Sequence, residues 1–189
     1  MQFFYPTPIV FFRIFALANS YPKTNVKIML TSSQFPAMRR FKQQMTDQEC
    51  LDLLQTAPRG VLAVIGHGGY PYTVPLDFLY HDGHIYFHCA KEGHKLDAIR
   101  QCDKVSFCVL SQGTKEPDSW WYHFQSVVCF GRICEVRDAT RADALLRMLG
   151  QKYFPLDYDM ESDMARNAPR ALVLELHIEH ITGKNVREK

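Results

Sequence analysis

Between residues 46 and 181 the spacing of apolar positions changes several times, and each change marks a predicted element. Cys50, Leu51, Leu53 and Leu54 fall at helical spacing behind Thr46-Asp47-Gln48-Glu49, which has the form of a capping box. A helix is predicted over about 46–56, stopped by Pro58. "GVLAVIG" at 60–66 is a short β-branched run and "HGG" a turn, while "YPYTVPLDFLYHDGHIYFHC" reads as two strands around Asp82-Gly83, a favoured hairpin pair. These three strands are expected to be antiparallel neighbours. "KVSFCVLS" is a fourth strand, and "YHFQSVVCFGRICEVRD" a long bent one with Gly131 at a bulge or close approach. Asp138 can cap a helix to about 152, with Ala142, Leu145, Leu146 and Leu149 along one face, before "ALVLELHIEHI" closes the chain as a sixth strand. Crossovers long enough for parallel pairing are missing, so the expected fold is mainly β: a six-stranded antiparallel barrel with short helices.

Length and composition change this picture only at the N-terminus. A chain of 189 residues supports one domain with a substantial core. A hydrophobic fraction of 47%, with 13% aromatics, speaks against disorder, and a formal charge of +2 gives no field that would favour nucleic acid. Residues 1–37 carry Arg13, Lys23 and Lys27 but no acid, so the remainder is nearly neutral. The run "PIVFFRIFALANS" is interrupted by Arg13, is too short to span a bilayer and has no basic residue ahead of it, as a secretory signal needs. Met38 opens "MRRFKQQMTDQEC" in the manner of a natural start. Residues 1–37 are therefore expected to be an extension outside the core, and residues 38–189 the domain. No membrane partner is expected.

The six cysteines show neither a CxxC pair nor zinc-ligand spacing, and most fall in predicted elements; reduced, buried thiols and a cytoplasmic location are expected. His81, His84 and His88 share one hairpin, but they lack an acidic or thiolate partner at suitable spacing, so no metal site is predicted. Glu179 and His180 are strand neighbours and point to opposite faces, which argues against an acid–base pair. Trp120-Trp121-Tyr122 either walls a pocket or covers the barrel edge.

The stretch with the most chemistry is "HCAKEGHKLDAI" at 88–99, where a strand hands over to a helix predicted over 94–101. Such a turn points unpaired backbone N–H groups outward at the helix start, and Gly93 permits torsions that other residues resist. His94 and Lys95 add side-chain donors at the same end. A phosphate suits this place better than a neutral ligand, although an isolated Gly-His-Lys is more often a solvated helix start.

The stretch is not isolated. Gly-Tyr-Pro-Tyr-Thr-Val-Pro at 69–75, His-Asp-Gly at 81–83, Ile-Tyr-Phe-His-Cys-Ala at 85–90, Gly-His-Lys at 93–95, Lys-Val-Ser-Phe-Cys-Val at 104–109, "SVVCFGR" at 126–132 and "IEHITGK" at 178–184 occur in order. Together they resemble the pyridoxamine-phosphate-oxidase-like FMN-binding split barrels, and within them the nitroimidazole-resistance proteins, over about residues 38–186. The resemblance implies a six-stranded split barrel, paired as a homodimer with flavin at the interface. It implies FMN as cofactor, with FAD as the alternative flavin. His94 and Lys95 would hold the phosphate, with His88 and Cys89 beside the phosphate and ribityl chain, and the backbone around Val74, Pro75 and Leu76 would face the flavin ring. Gln125 and Ser126 fall near where family members contact the ring, and His94 is the one catalytic candidate. Pyridoxamine phosphate oxidases carry Arg-Lys at the phosphate turn, where this chain has His-Lys. Their arginine-bearing C-terminal substrate motif has no counterpart in "HITGKNVREK", so pyridoxine phosphate is not the expected substrate. The implied activity is flavin-dependent reduction of a small, electron-poor aromatic such as a nitroimidazole. The other reading is a non-catalytic flavin- or haem-binding storage or sensor protein.

Overall fold

The computed structural model describes residues 35–118 and 120–186; nearly all of the expected extension lies outside them. The first helix, α1 (Asp47–Thr56), starts as predicted: the Thr46 hydroxyl accepts from Glu49 N, and Glu49 Oε2 accepts from Thr46 N at 2.7 Å. The strands are β1 (Arg59–Ile65), β2 (Pro71–Asp77), β3 (Leu79–His81), β4 (His84–Ala90), β5 (Lys104–Leu110), β6 (Thr114–Lys115), β7 (Tyr122–Glu135) and β8 (Ala171–Val186). Between and beside them lie α2 (His94–Gln101), α3 (Ala139–Tyr153) and α4 (Met160–Asn167). Asp138 caps α3 by accepting from Arg141 N, as expected.

The strands form one antiparallel sheet in the order β2-β1-β5-β7-β8-β4-β3, with the two-residue β6 added beside β7. The mainly β barrel is therefore present, but with eight strands by this division rather than six. The difference has a physical cause at Phe78. The run expected as one strand over 70–80 divides there, because β2 pairs with β1 at one edge of the sheet while β3 pairs with β4 at the other. A single residue thus joins the two edges, and the sheet curls to let it. Most of β4 finds its partner in β8, not in the hairpin.

Phe78 has no ladder partner among the described strands, so its backbone groups must be satisfied otherwise. Its N–H donates to the Tyr153 hydroxyl at 2.8 Å, and its carbonyl accepts from Lys152 Nζ at 2.9 Å. Tyr153 also donates to Pro58 O at 2.6 Å or to Phe78 O at 2.8 Å. Burial lowers the Lys152 ammonium to about 8, and the group lies 4.1 Å from the centre of the Phe78 ring. The last turn of α3 is in effect a clasp on the junction. Tyr153→Phe orphans the Phe78 N–H and should cost about 1–2 kcal/mol. Thermal unfolding of the variant checks this.

Inside, Phe107 meets Phe78 and Phe87 edge to face at 4.9 and 5.0 Å, among Leu62, Val109, Val127, Leu174 and Leu176, and α1 contributes Cys50, Leu53 and Leu54 to the same core. Gly131 sits where the β7–β8 register slips at Phe130/Gly131, and a Cβ there would run into the His177 carbonyl, so both the bulge and the close approach are real. α4 is absent from the sequence reading because "MESDMARN" is short and polar; its start is fixed by Asp159 accepting from Ser162 N. β8 continues past residue 181 because 182–186 pair with the start of β7. All six cysteines are free: Cys50, Cys89 and Cys129 buried, Cys102 and Cys108 half-buried, Cys134 exposed. No helix of the described residues is long and apolar enough to cross a membrane.

Candidate functional site

After β4 the exposed residues Lys91, Glu92 and Gly93 turn the chain into α2, which is anchored by the buried Leu96, Ala98 and Ile99. Gly93 is the N-cap at φ 127°, in the region that disfavours side chains, and it offers no side-chain cap. Its carbonyl accepts from Leu96 N at 2.9 Å and Asp97 N at 3.2 Å. The N–H groups of His94 and Lys95 have no protein partner among the described residues. This is the free helix start that the sequence predicts.

The structure adds a partner that the sequence reading does not assign. The His94 ring stacks on Tyr72 of β2 with centroids 4.4 Å apart and planes 18° from parallel, beside Gly66 at the end of β1. Tyr72 lies in the quoted "YPYTV", and only the packing of β2 against the start of α2 reveals the pairing. Lys95 is half-buried and in no ion pair among the described residues. It is close enough to act on Cys89, whose thiol burial pushes up and Lys95 pulls down.

The other expected residues are spread around the barrel. Val74 and Leu76 continue the Tyr72 side of β2, half-buried, with Leu76 packed on the core; Pro75 faces outward and is exposed. On β4, His88 is exposed and Cys89 turns into the core. Ser126 pairs with Leu110 and Lys184, three strands from β2, or about 14 Å at the usual strand spacing. The Gln125 N–H donates to the Ser111 hydroxyl and its carbonyl accepts from the Ser111 N–H, both at 2.9 Å, and Gln125 lines an open groove of about 680 Å³ with Ser111, His123 and Asn185. One chain thus brings His94, Lys95 and the β2 face together and leaves Gln125 and Ser126 apart.

A second polar cluster lies on the outer side of β4, β8 and β7. His84 stands opposite His177, and Tyr86 opposite Glu175, in the β4–β8 register. Glu175 is 4% exposed, yet ionised: Arg141 of α3 donates to both of its oxygens, at 2.6 and 2.9 Å, and Tyr86 donates at 3.1 Å. Burial alone would raise this carboxyl, but the bonds from Arg141 and Tyr86 outweigh it and hold it below the ordinary range. Burial, reinforced by Glu175, pushes the Tyr86 hydroxyl up to about 12. His84 Nε2 lies 3.0 Å from His177 Nδ1, and Cys134 Sγ 3.8 Å from His177 Nε2.

Several solved structures share this fold. A candidate 5-nitroimidazole antibiotic resistance protein from Bacteroides thetaiotaomicron superposes with a TM-score of 0.64 at 18% identity, covering 75% of this chain and 86% of that one. A FAD-binding protein from Mesorhizobium loti gives 0.58 at 24%, covering 76% and 97%. An FAD and haem binding protein from Mycobacterium smegmatis gives 0.62 at 21%, covering 77% and 74%. No curated protein matches this sequence. The family model described as pyridoxamine 5'-phosphate oxidase matches residues 46–185, which include every strand but the last residue of β8 and all four helices. The chain belongs to the pyridoxamine 5'-phosphate oxidase family.

Proposed function

We propose that this protein binds FMN, with FAD as the alternative flavin, and works as an oxidoreductase that reduces a small, electron-poor aromatic such as a nitroimidazole. The observation that carries the reading is the start of α2, where the unpaired N–H groups of His94 and Lys95 share one turn with the His94 ring and a Lys95 side chain in no ion pair among the described residues. That donor set fits a phosphate dianion. Lys95 would supply charge, His94 and the two N–H groups hydrogen bonds, and the end of β4 at His88 and Cys89, whose side chains point to opposite faces, would run beside the chain that follows the phosphate. The backbone around Val74, Pro75 and Leu76 would lie against the flavin ring. The bound flavin would carry the electrons, while the protein orients it and excludes water. Stacking on Tyr72 fixes the His94 ring, which makes it a proton donor or acceptor of set position and our candidate catalytic residue. Anaerobic mixing of the flavin-loaded protein with a nicotinamide donor, then with a nitroimidazole, tests the activity: flavin absorbance should bleach and then return. Bleaching without return would remove the nitroaromatic; failure to bleach with any nicotinamide donor would favour a flavin-binding protein without turnover. Likeness to an FAD and haem binding protein gives that second reading its support.

The separation of Gln125 and Ser126 from the β2 face fits a flavin bound between two copies, one giving the α2 end and the other the β7 end. The outer face of β2, β1, β5 and β7 carries Val61, Ala63, Pro75, Cys108 and Val128, and is flanked by exposed Leu110 and Ile65. Trp120 is 79% exposed while stacked on Trp121. Such apolar area favours a closed two-fold pair. Light scattering should give a dimer mass, and a monomer that still holds flavin would contradict it. The free thiols suit a cytoplasmic location. Residues 1–37 we propose to be dispensable: Phe35 stacks on His180 at 4.5 Å, a surface contact outside the barrel core. A chain starting at Met38 should melt within a few degrees of the full protein, and a larger drop would place the extension in the fold.

A further inference from the structure

We propose that His84, His177 and Glu175 form a binding site for a late first-row divalent transition metal ion on the outer face of β4 and β8, separate from the α2 turn. The cross-strand register sets the two imidazoles opposite each other, a relation invisible along the hairpin, where only His81 and His88 are neighbours in sequence. One donor atom from each of the three residues lies within 4.8 Å of the others. His84 Nε2 and His177 Nδ1 are 3.0 Å apart, against about 3.3 Å for two nitrogens on one tetrahedral zinc. Little movement is needed to admit the ion.

The surroundings orient these groups as the outer contacts of metal ligands do. Asp82 of the β3–β4 turn presents its carbonyl oxygen 2.8 Å from His84 Nδ1. A proton held there by Asp82 O leaves the Nε2 lone pair facing His177. Glu175 accepts three hydrogen bonds, from Tyr86 and twice from Arg141, out of about four acceptor positions on a carboxylate. The oxygen on the side of the ion is Oε1, 4.0 Å from His84 Nε2, and it would join the ion by giving up the 3.1 Å bond from Tyr86 while Arg141 keeps hold of the carboxylate. The His177 side chain is 50% exposed, so water can complete the coordination, while the Cys134 thiol lies against the other ring nitrogen, Nε2, at 3.8 Å. Two imidazoles and a carboxylate suit zinc, copper or nickel and not magnesium or calcium.

Zinc is the probe. Calorimetric titration of Zn²⁺ into chelator-treated full-length protein should show one ion per chain. His84→Ala and His177→Ala should each weaken it by about a hundredfold, and His123→Ala, on β7 at the far groove, should leave it unchanged. His177→Gln, which keeps the polar side chain, serves if the alanine variant fails to fold. With Co²⁺ in place of Zn²⁺, visible bands are expected without a near-ultraviolet thiolate band, since Cys134 lies on the Nε2 side of His177. The proposal is overturned if the wild type binds zinc more weakly than about 1 mM, or if either histidine variant keeps wild-type affinity. None of these readouts involves flavin.

Discussion

Lys95→Ala should lower FMN affinity by about ten- to a hundredfold, since it removes one charge-assisted contact to a dianion worth roughly 1.5–3 kcal/mol. The lysine is half-buried and in no ion pair among the described residues, so its loss leaves no stranded carboxylate, and flavin-free stability should change little. Riboflavin is the decisive control because it has no phosphate. Both Lys95→Ala and His94→Ala should bind it about as well as the wild type does. If Lys95→Ala weakened riboflavin and FMN equally, the lysine would act on the ring site or the fold, and the phosphate reading of Gly93-His94-Lys95 would fail.

Arg141→Met should destabilise the protein by about 3 kcal/mol at pH 7, the lower end for breaking a buried pair, because Arg141 itself is 48% exposed. The cost comes from Glu175, which keeps its charge behind Tyr86 with its main partner gone. pH provides the internal check. Glu175 has its carboxyl lowered in the folded state, so its contribution is present above the ordinary glutamate range and is lost as pH falls through the lowered value. The gap between wild type and Arg141→Met should therefore narrow in acid. A gap that stayed constant from pH 7 to below pH 3 would mean that Arg141 acts through packing over Tyr86 instead.

Local signals in the sequence were sufficient where one element determines itself. The capping box at Thr46, the cap at Asp138, the Asp82-Gly83 turn and the glycine start of α2 each depend on residues a few positions apart, and each appears as expected. Relations that depend on closure were out of reach. Nothing along 70–80 indicates that Phe78 leaves one sheet edge for the other, because the alternation runs on through it, and the clasp by Lys152 and Tyr153 comes from far along the chain. The same holds at the sites. The open helix start at Gly93-His94-Lys95 was legible as a contiguous motif, whereas the Tyr72 stack needs β2 folded against α2. The pairing of His84 with His177 needs the β4–β8 register, which sequence spacing within one hairpin does not contain.

The central claim is that this chain holds a flavin, and the absorption spectrum of the freshly purified full-length protein tests it most directly. The account predicts the paired visible bands of a bound flavin, with FMN as the chromophore released on denaturation. A haem Soret band without flavin, or a colourless protein that takes up neither FMN nor FAD when they are added, would contradict it.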